Sequence, residues 1–142
     1  MAIAGGCMCG AVRYSIEAEP ITVRSCWCRA CQFIGAGSAT VNVVFPRDAI
    51  RVKGELTDFV STADSGNIMH RQFCPACGTP VFTGSEARPH MLAVRAGTLD
   101  DPNIAKPDIV IWTAMAPSWA CIDPTVPHDE RQPALVPLPP KT

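Results

Sequence analysis

"AVRYSIE", Ala11–Glu17, alternates Val12, Tyr14 and Ile16 with Arg13, Ser15 and Glu17. That is the period-two pattern of a strand with one buried face. The same reading extends outward along the chain. "SATVNVVF" is rich in β-branched residues and stops at Pro46. "AIRVKG", "LTDFVS", "IMHRQF", "TPVFTG", "MLAVRAG" and "DIVIWT" are further short runs, separated by Gly, Pro, Asn or Asp. No long stripe of period 3.6 interrupts them. The best helical candidate is a turn or two around "RACQFIGAG", which Gly35 and Gly37 end. The pattern predicts a mostly β, small single domain of many short strands with little helix. Such sheets expose edges and have thin cores, so metal clips are a fitting stabiliser.

The 142 residues suffice for one domain with a real core, and a hydrophobic share of 47% fits a compact soluble chain. We expect that domain over residues 1–123 and a proline-rich C-terminal tail over 124–142. "DPTVPHDERQPALVPLPPKT", from Asp123, holds six of the fourteen prolines. Proline fixes φ and removes a backbone donor, so this tail should be extended, either laid on the domain or mobile. A formal net charge of −1 and no Lys/Arg cluster leave no electrostatic footprint for nucleic acid or an anionic membrane. No apolar run approaches the roughly 18 residues of a membrane span. The start, "MAIAGGCMCG", lacks the basic and apolar regions of a secretory signal. Eight cysteines without an export signal point to a cytoplasmic location, where clustered cysteines bind metal or do chemistry more often than they form bridges.

The cysteines fall into Cys7/Cys9, Cys26/Cys28/Cys31, Cys74/Cys77 and a lone Cys121. "FCPACGT" has the form of a zinc knuckle, with Gly78 free to take positive φ. In "GCMCG" the two cysteines at i and i+2 lie on one side of an extended segment. Each pair supplies two thiolates, and together they complete a Cys₄ site joining distant parts of the chain. Disulfides across one intervening residue would be strained. "CWCRAC" is left with three thiolates and no second doublet. Catalytic zinc sites commonly keep three protein ligands and an open position. The alternative is that Cys121 closes this site as a second staple, although its apolar flanks, Ala120 and Ile122, suit a buried unliganded cysteine better.

Two other readings of the same residues are weaker. "WCRAC" matches a thioredoxin-like W-C-x-x-C, but that motif needs a βαβ unit and a substantial helix after it. A zinc deaminase needs H-x-E ahead of P-C-x-x-C, and here Pro75 lies inside the motif with no H-x-E before it.

Taken in order, "GGCMCGAVRY", "CWCRACQ", "RQFCPACGTPVF", "AGTLDDP" and "IWTAMAPSW" resemble the family of glutathione-dependent formaldehyde-activating enzymes, which includes centromere protein V-like proteins. The resemblance covers about Gly5 to Asp123. It implies a β-rich, tent-like fold with two Zn²⁺ ions, one structural on Cys7, Cys9, Cys74 and Cys77 and one catalytic on Cys26, Cys28 and Cys31. It implies a carbon–sulfur lyase activity, the condensation of glutathione with formaldehyde to S-hydroxymethylglutathione or its reverse. The expected partners are therefore a small-molecule thiol and an aldehyde. Two positions depart from the pattern. Trp27 and Val110 stand where relatives often carry histidine, which bears on the formaldehyde substrate more than on the metal.

Zinc with three thiolates carries a net charge of −1, a poor setting for activating water and a good one for a soft sulfur ligand. An anionic thiol would need cations nearby, for which Arg29 and Arg71 are the candidates. Gln32 could orient a carbonyl or cap a turn. His70, His90 and His128 read as structural or surface residues. Trp112 and Trp119 could wall a pocket, although core packing suits both better. The competing function is a non-catalytic, zinc-stapled binding module.

Overall fold

The computed structural model describes residues 2–134. Residues 135–142, the end of the expected tail, lie outside the described residues. Among the described residues ten strands alternate with little helix: β1 (Ile3–Gly6), β2 (Arg13–Ile16), β3 (Thr22–Cys26), β4 (Thr40–Pro46), β5 (Ile50–Lys53), β6 (Thr57–Thr62), β7 (Ile68–Phe73), β8 (Pro80–Ser85), β9 (Met91–Arg95) and β10 (Ile109–Ile111). One short α-helix, α1 (Arg29–Ile34), follows β3. The mostly β reading therefore holds, and each short apolar run marked in the sequence falls on a strand.

The strands form a three-stranded sheet, β1-β2-β5, and a seven-stranded sheet, β10-β3-β4-β9-β8-β7-β6. Pairing is antiparallel throughout except between β10 and β3. Alternation sets which face meets the core. Tyr14 and Ile16 of β2 are buried while Arg13 is exposed. They pack with Val12 and Ile50 against Val23, Val43, Phe45, Phe82, Leu92 and Val94 of the large sheet. Phe45, Phe82 and Ile16 are wholly buried, and each contributes about 2–3 kcal/mol of hydrophobic stabilisation. The Tyr14 ring lies 5.3 Å from that of Phe82, and its hydroxyl meets Thr98 Oγ1 at 2.7 Å.

The opposite face of the large sheet differs from a simple polar-out surface. Arg24 and Cys26 of β3, Thr40 and Asn42 of β4, Thr83 of β8 and Arg95 of β9 are polar or sulfur-bearing yet buried. Cross-strand register places Arg24 opposite Asn42 and Asn42 opposite Arg95, so these three form one row across the sheet. Residues paired across strands share a face. Buried polar side chains in such a row signal a site rather than a solvated surface.

The chain end covers the β10 edge. Val110 N–H donates to Pro127 O and accepts, through its carbonyl, the Asp129 N–H, each at 2.9 Å. Trp112 Nε1–H donates to Gln132 Oε1 at 3.1 Å, and the Arg131 guanidinium sits 5.9 Å from the Trp112 ring. An otherwise open edge strand is thereby capped. No helix among the described residues is long and apolar enough to cross a membrane.

Gly5 marks the tightest contact between β1 and the core. A Cβ there would lie 2.3 Å from both Thr98 O and Tyr14 Oη. Since the Thr98 carbonyl is backbone and cannot swing away, Gly5→Ala should cost about 2–3 kcal/mol in urea unfolding. A loss under about 0.5 kcal/mol would mean β1 is free to shift.

Candidate functional site

Seven of the eight cysteines gather into two clusters. Cys7 and Cys9, on the loop after β1, meet Cys74 and Cys77, on the turn after β7, with all four sulfurs within 4.8 Å of one another. Gly78 takes φ of 75° and donates its N–H to Cys74 O at 2.8 Å, closing the tight turn. Cys7 Sγ lies 3.6 Å from Cys9 Sγ, and Cys9 Sγ lies 3.8 Å from Cys74 Sγ. A tetrahedral centre with metal–sulfur bonds of about 2.3 Å has edges of about 3.8 Å, so these spacings fit zinc. The Val12 N–H donates to Cys7 Sγ at 3.2 Å, and the Thr79 hydroxyl lies 3.0 Å from Cys77 Sγ. Such donors favour thiolates. Hydrogen bonds from Thr79 pull the Cys77 thiol down to about 5.

The second cluster is Cys26, Cys28 and Cys31, again with sulfurs within 4.8 Å. Cys26 ends β3 and is buried, Cys31 is buried on α1, and Cys28 is half-buried as the N-cap of α1. Its sulfur accepts the Cys31 N–H at 3.3 Å. Three sulfurs this close cannot all shed protons unaided. Hydrogen bonds from Cys26 and Cys28 hold the Cys31 thiol far down, and hydrogen bonding with Cys28, then Cys31, holds Cys26 far up. A dication resolves the conflict by stabilising all three as thiolates, so this donor set also fits zinc. Cys121 belongs to neither cluster and is exposed, not buried as its apolar flanks suggested. Trp119 is also exposed, at 70%, because it packs edge-on against the buried Trp27 from outside, at 6.5 Å, rather than entering the core.

The three-cysteine cluster opens on a cleft in the outer face of the large sheet, with a volume of about 160 Å³. Arg24, Asn42, Arg71, Thr83, Arg88 and Arg95 line it together with the three cysteines. Arg71 is half-buried and donates to Ser61 Oγ at 2.5 Å. Arg29 stands elsewhere. It is exposed, donates to Gln32 Oε1 at 2.5 Å, and stacks 5.2 Å from the Phe33 ring. Gln32 in turn donates to Trp27 O at 2.8 Å and Met115 O at 2.9 Å, which ties the cysteine loop to the segment after β10.

This order of motifs and this arrangement of sulfurs agree with a comparison against known families. The model of the glutathione-dependent formaldehyde-activating enzyme matches residues 2–115. The chain belongs to that family. A Halomonas elongata protein named "Putative glutathione-dependent formaldehyde-activating enzyme" is 24% identical over 129 residues, covering 87% of this chain and 82% of its own. A crystal structure of a Rhodobacter sphaeroides protein shares the fold with a TM-score of 0.58 at 23% identity, over 73% of this chain and 96% of that one.

Within this family member the two departures from the motif face away from the cleft. Val110 pairs with Ser25, whereas Ile111 pairs with Cys26 and lines the cleft. Trp27 is buried but is not among the lining residues. Sequence reasoning missed Arg24, Asn42, Thr83 and Arg95. Their signal was a polar residue on the face of each strand opposite the apolar core positions, which alternation alone assigns to solvent.

His70 lies outside the cleft. Its Nδ1 is 2.6 Å from Asp58 Oδ2 and its Nε2 is 3.0 Å from Glu86 Oε2, so both carboxylates, Asp58 first, raise its pKa above 6.5. A raised folded-state value means this stabilisation is complete below 6.5 and lost as pH rises through the folded value. An NMR titration should place the His70 midpoint above 6.5. His70→Gln should erase that pH dependence of unfolding, and a midpoint at or below 6.5 would refute the pairing.

Proposed function

We propose that the protein is a zinc-dependent carbon–sulfur lyase that joins a thiol, glutathione, to a small aldehyde and reverses that addition. The observation that carries this reading is the three-sulfur cluster open to an arginine-lined cleft, with no fourth side-chain sulfur supplied by Cys121. Zinc held by Cys26, Cys28 and Cys31 would offer a soft fourth position that suits an incoming thiolate better than water. The second zinc, on Cys7, Cys9, Cys74 and Cys77, would hold the β1 loop to the β7–β8 turn.

The chemistry asked of the chain is modest. The thiolate sulfur bonds to the carbonyl carbon, the C=O π pair moves to oxygen, and that oxygen takes a proton; no electrons are exchanged. Holding thiol and aldehyde together recovers part of the entropy of a bimolecular step. Arg71 and Arg88, half-buried at the cleft, supply positive charge for the carboxylates of glutathione. Gln32, through its two backbone acceptors, fixes the loop that carries Cys28 and Cys31. A cytoplasmic setting, where glutathione is abundant and thiols stay reduced, accords with this chemistry.

X-ray absorption with and without glutathione tests the proposal. A fourth sulfur should join the three-sulfur zinc only when glutathione is added. Coordination that no thiol alters would instead make the protein a zinc-stapled binding module.

A further inference from the structure

Three buried polar atoms on the cleft lining make no hydrogen bond among the described residues: Arg24 Nε, Arg95 Nε and Thr83 Oγ1. Their residues are 8%, 7% and 8% exposed. Leaving one such group unsatisfied is costly, and leaving two guanidinium Nε–H donors so is rare unless a ligand meets them. The charged groups that act most strongly on Arg24 are Arg88 and Cys26, and on Arg95 they are Cys31, Arg71 and Cys26. No carboxylate is among them. Arg95 donates to Asn42 Oδ1 at 2.7 Å, and Asn42 donates to Thr40 Oγ1 at 3.0 Å, so the row is braced but not neutralised.

A bland explanation is that these arginines only balance the thiolates. The charges do not support it. A zinc with three thiolates carries −1, and the acidic residue on the lining, Asp64, is exposed. Against these stand Arg24, Arg71, Arg88 and Arg95. The cleft therefore keeps a positive surplus, and Arg24, two residues along β3 from Cys26, carries part of it to the strand that bears the cysteine.

Size decides which anion fits there. A cavity of about 150 Å³ takes one benzene, roughly six heavy atoms. The cleft, at about 160 Å³, encloses a molecule of that size whole, whereas most of a tripeptide bound at Arg71 and Arg88 would lie outside it. Building on the thiol–aldehyde reading, we infer that Arg24, Arg95 and Thr83 form a carboxylate subsite, and that the carbonyl substrate is a small oxo acid rather than an unsubstituted aldehyde. Its carboxylate would take the unused Nε–H donors and the Thr83 hydroxyl while its carbonyl carbon faces the thiolate. The addition itself is unchanged: a C–S bond forms, the carbonyl oxygen gains a proton, and the carboxylate takes no part.

The test measures binding to the two-zinc protein by calorimetry without any thiol, with glyoxylate as the probe. Glyoxylate should saturate one site, and glycolaldehyde, similar in size but neutral, should bind at least about tenfold more weakly. Arg24→Met should weaken glyoxylate about tenfold or more, and Thr83→Val several-fold, with zinc content unchanged. Because the Thr83 hydroxyl has no partner in the fold, Thr83→Val should keep its thermal midpoint and reports on the subsite even where Arg24→Met does not fold. Equal binding of glyoxylate and glycolaldehyde, or glyoxylate affinity unchanged in Thr83→Val, overturns the inference. The other source of a carboxylate is glutathione. Competition between S-methylglutathione and glyoxylate would assign the subsite to the tripeptide and overturn the oxo-acid assignment, whereas simultaneous binding supports it. The two proposals fail separately. Glyoxylate binding without a fourth sulfur on zinc removes the thiol chemistry and leaves the subsite, and the reverse result removes the subsite alone.

Discussion

Cys74→Ser is expected to lose one of two zinc equivalents and to lower the thermal midpoint by about 15 °C or more, the largest stability effect in the molecule. Cys74 is wholly buried, belongs to the main core cluster, and its sulfur lies 3.8 Å from Cys9 Sγ. The site closes a loop from the β1 turn to the β7–β8 turn, across 65 residues. No preformed version of such a site exists in the unfolded chain, so metal affinity is folding free energy, about 10–16 kcal/mol for structural zinc in small peptides. Losing a ligand forfeits a large part of that, and each 1 kcal/mol shifts the midpoint of a domain this size by about 2–4 °C. Serine also leaves a hydroxyl in an apolar setting with no sulfur-like reach to the metal. Zinc content by mass spectrometry and a thermal melt check the result. A variant that retains two zincs, or melts within about 3 °C of the parent, would show that this cluster is not a staple.

Eight of the ten strands were legible because each carries its own signal, whereas β1 (Ile3–Gly6) and β3 (Thr22–Cys26) were not marked. "AVRYSIE" announces β2 through Tyr14 and Ile16, and Pro46 ends β4 where proline can no longer donate to a ladder. The cysteine partition was legible for a different reason: C-x-C and C-x-x-C spacings are short-range geometry, which sequence conveys directly. What sequence hid depends on which strands neighbour which. Arg24, Asn42 and Arg95 are 18 and 53 residues apart along the chain, and only the β3-β4-β9 order brings them into one row. Read strand by strand, each is a polar residue on an outward face. Cys121 and Trp119 misled for a related reason. Apolar neighbours suggested burial, but the segment after β10 runs across the outside of the Trp27 loop, and nothing local encodes that path. Arg29, a candidate cation from its place inside the cysteine loop, donates to Gln32 and stacks on Phe33, contacts set by helix α1.

The second large effect concerns chemistry and leaves the fold standing. Cys28→Ser should reduce glutathione-dependent adduct turnover at least about a thousandfold while the midpoint falls by only a few degrees. Three features separate Cys28 from Cys74. It is half-buried rather than wholly buried, it caps a helix of six residues, and its cluster lies outside the main core. Serine at an N-cap accepts the same backbone N–H that Cys28 Sγ now takes from Cys31, so the helix start survives. What is lost is a thiolate. Cys26 and Cys31 alone grip a metal too weakly to keep it, and the thiol position goes with it. The paired measurement is zinc content against turnover. One zinc lost with turnover abolished and the far-ultraviolet spectrum intact is the expected outcome. Full turnover with a single zinc bound would place the reaction away from this cluster, because the four-cysteine site has no position left for a thiol.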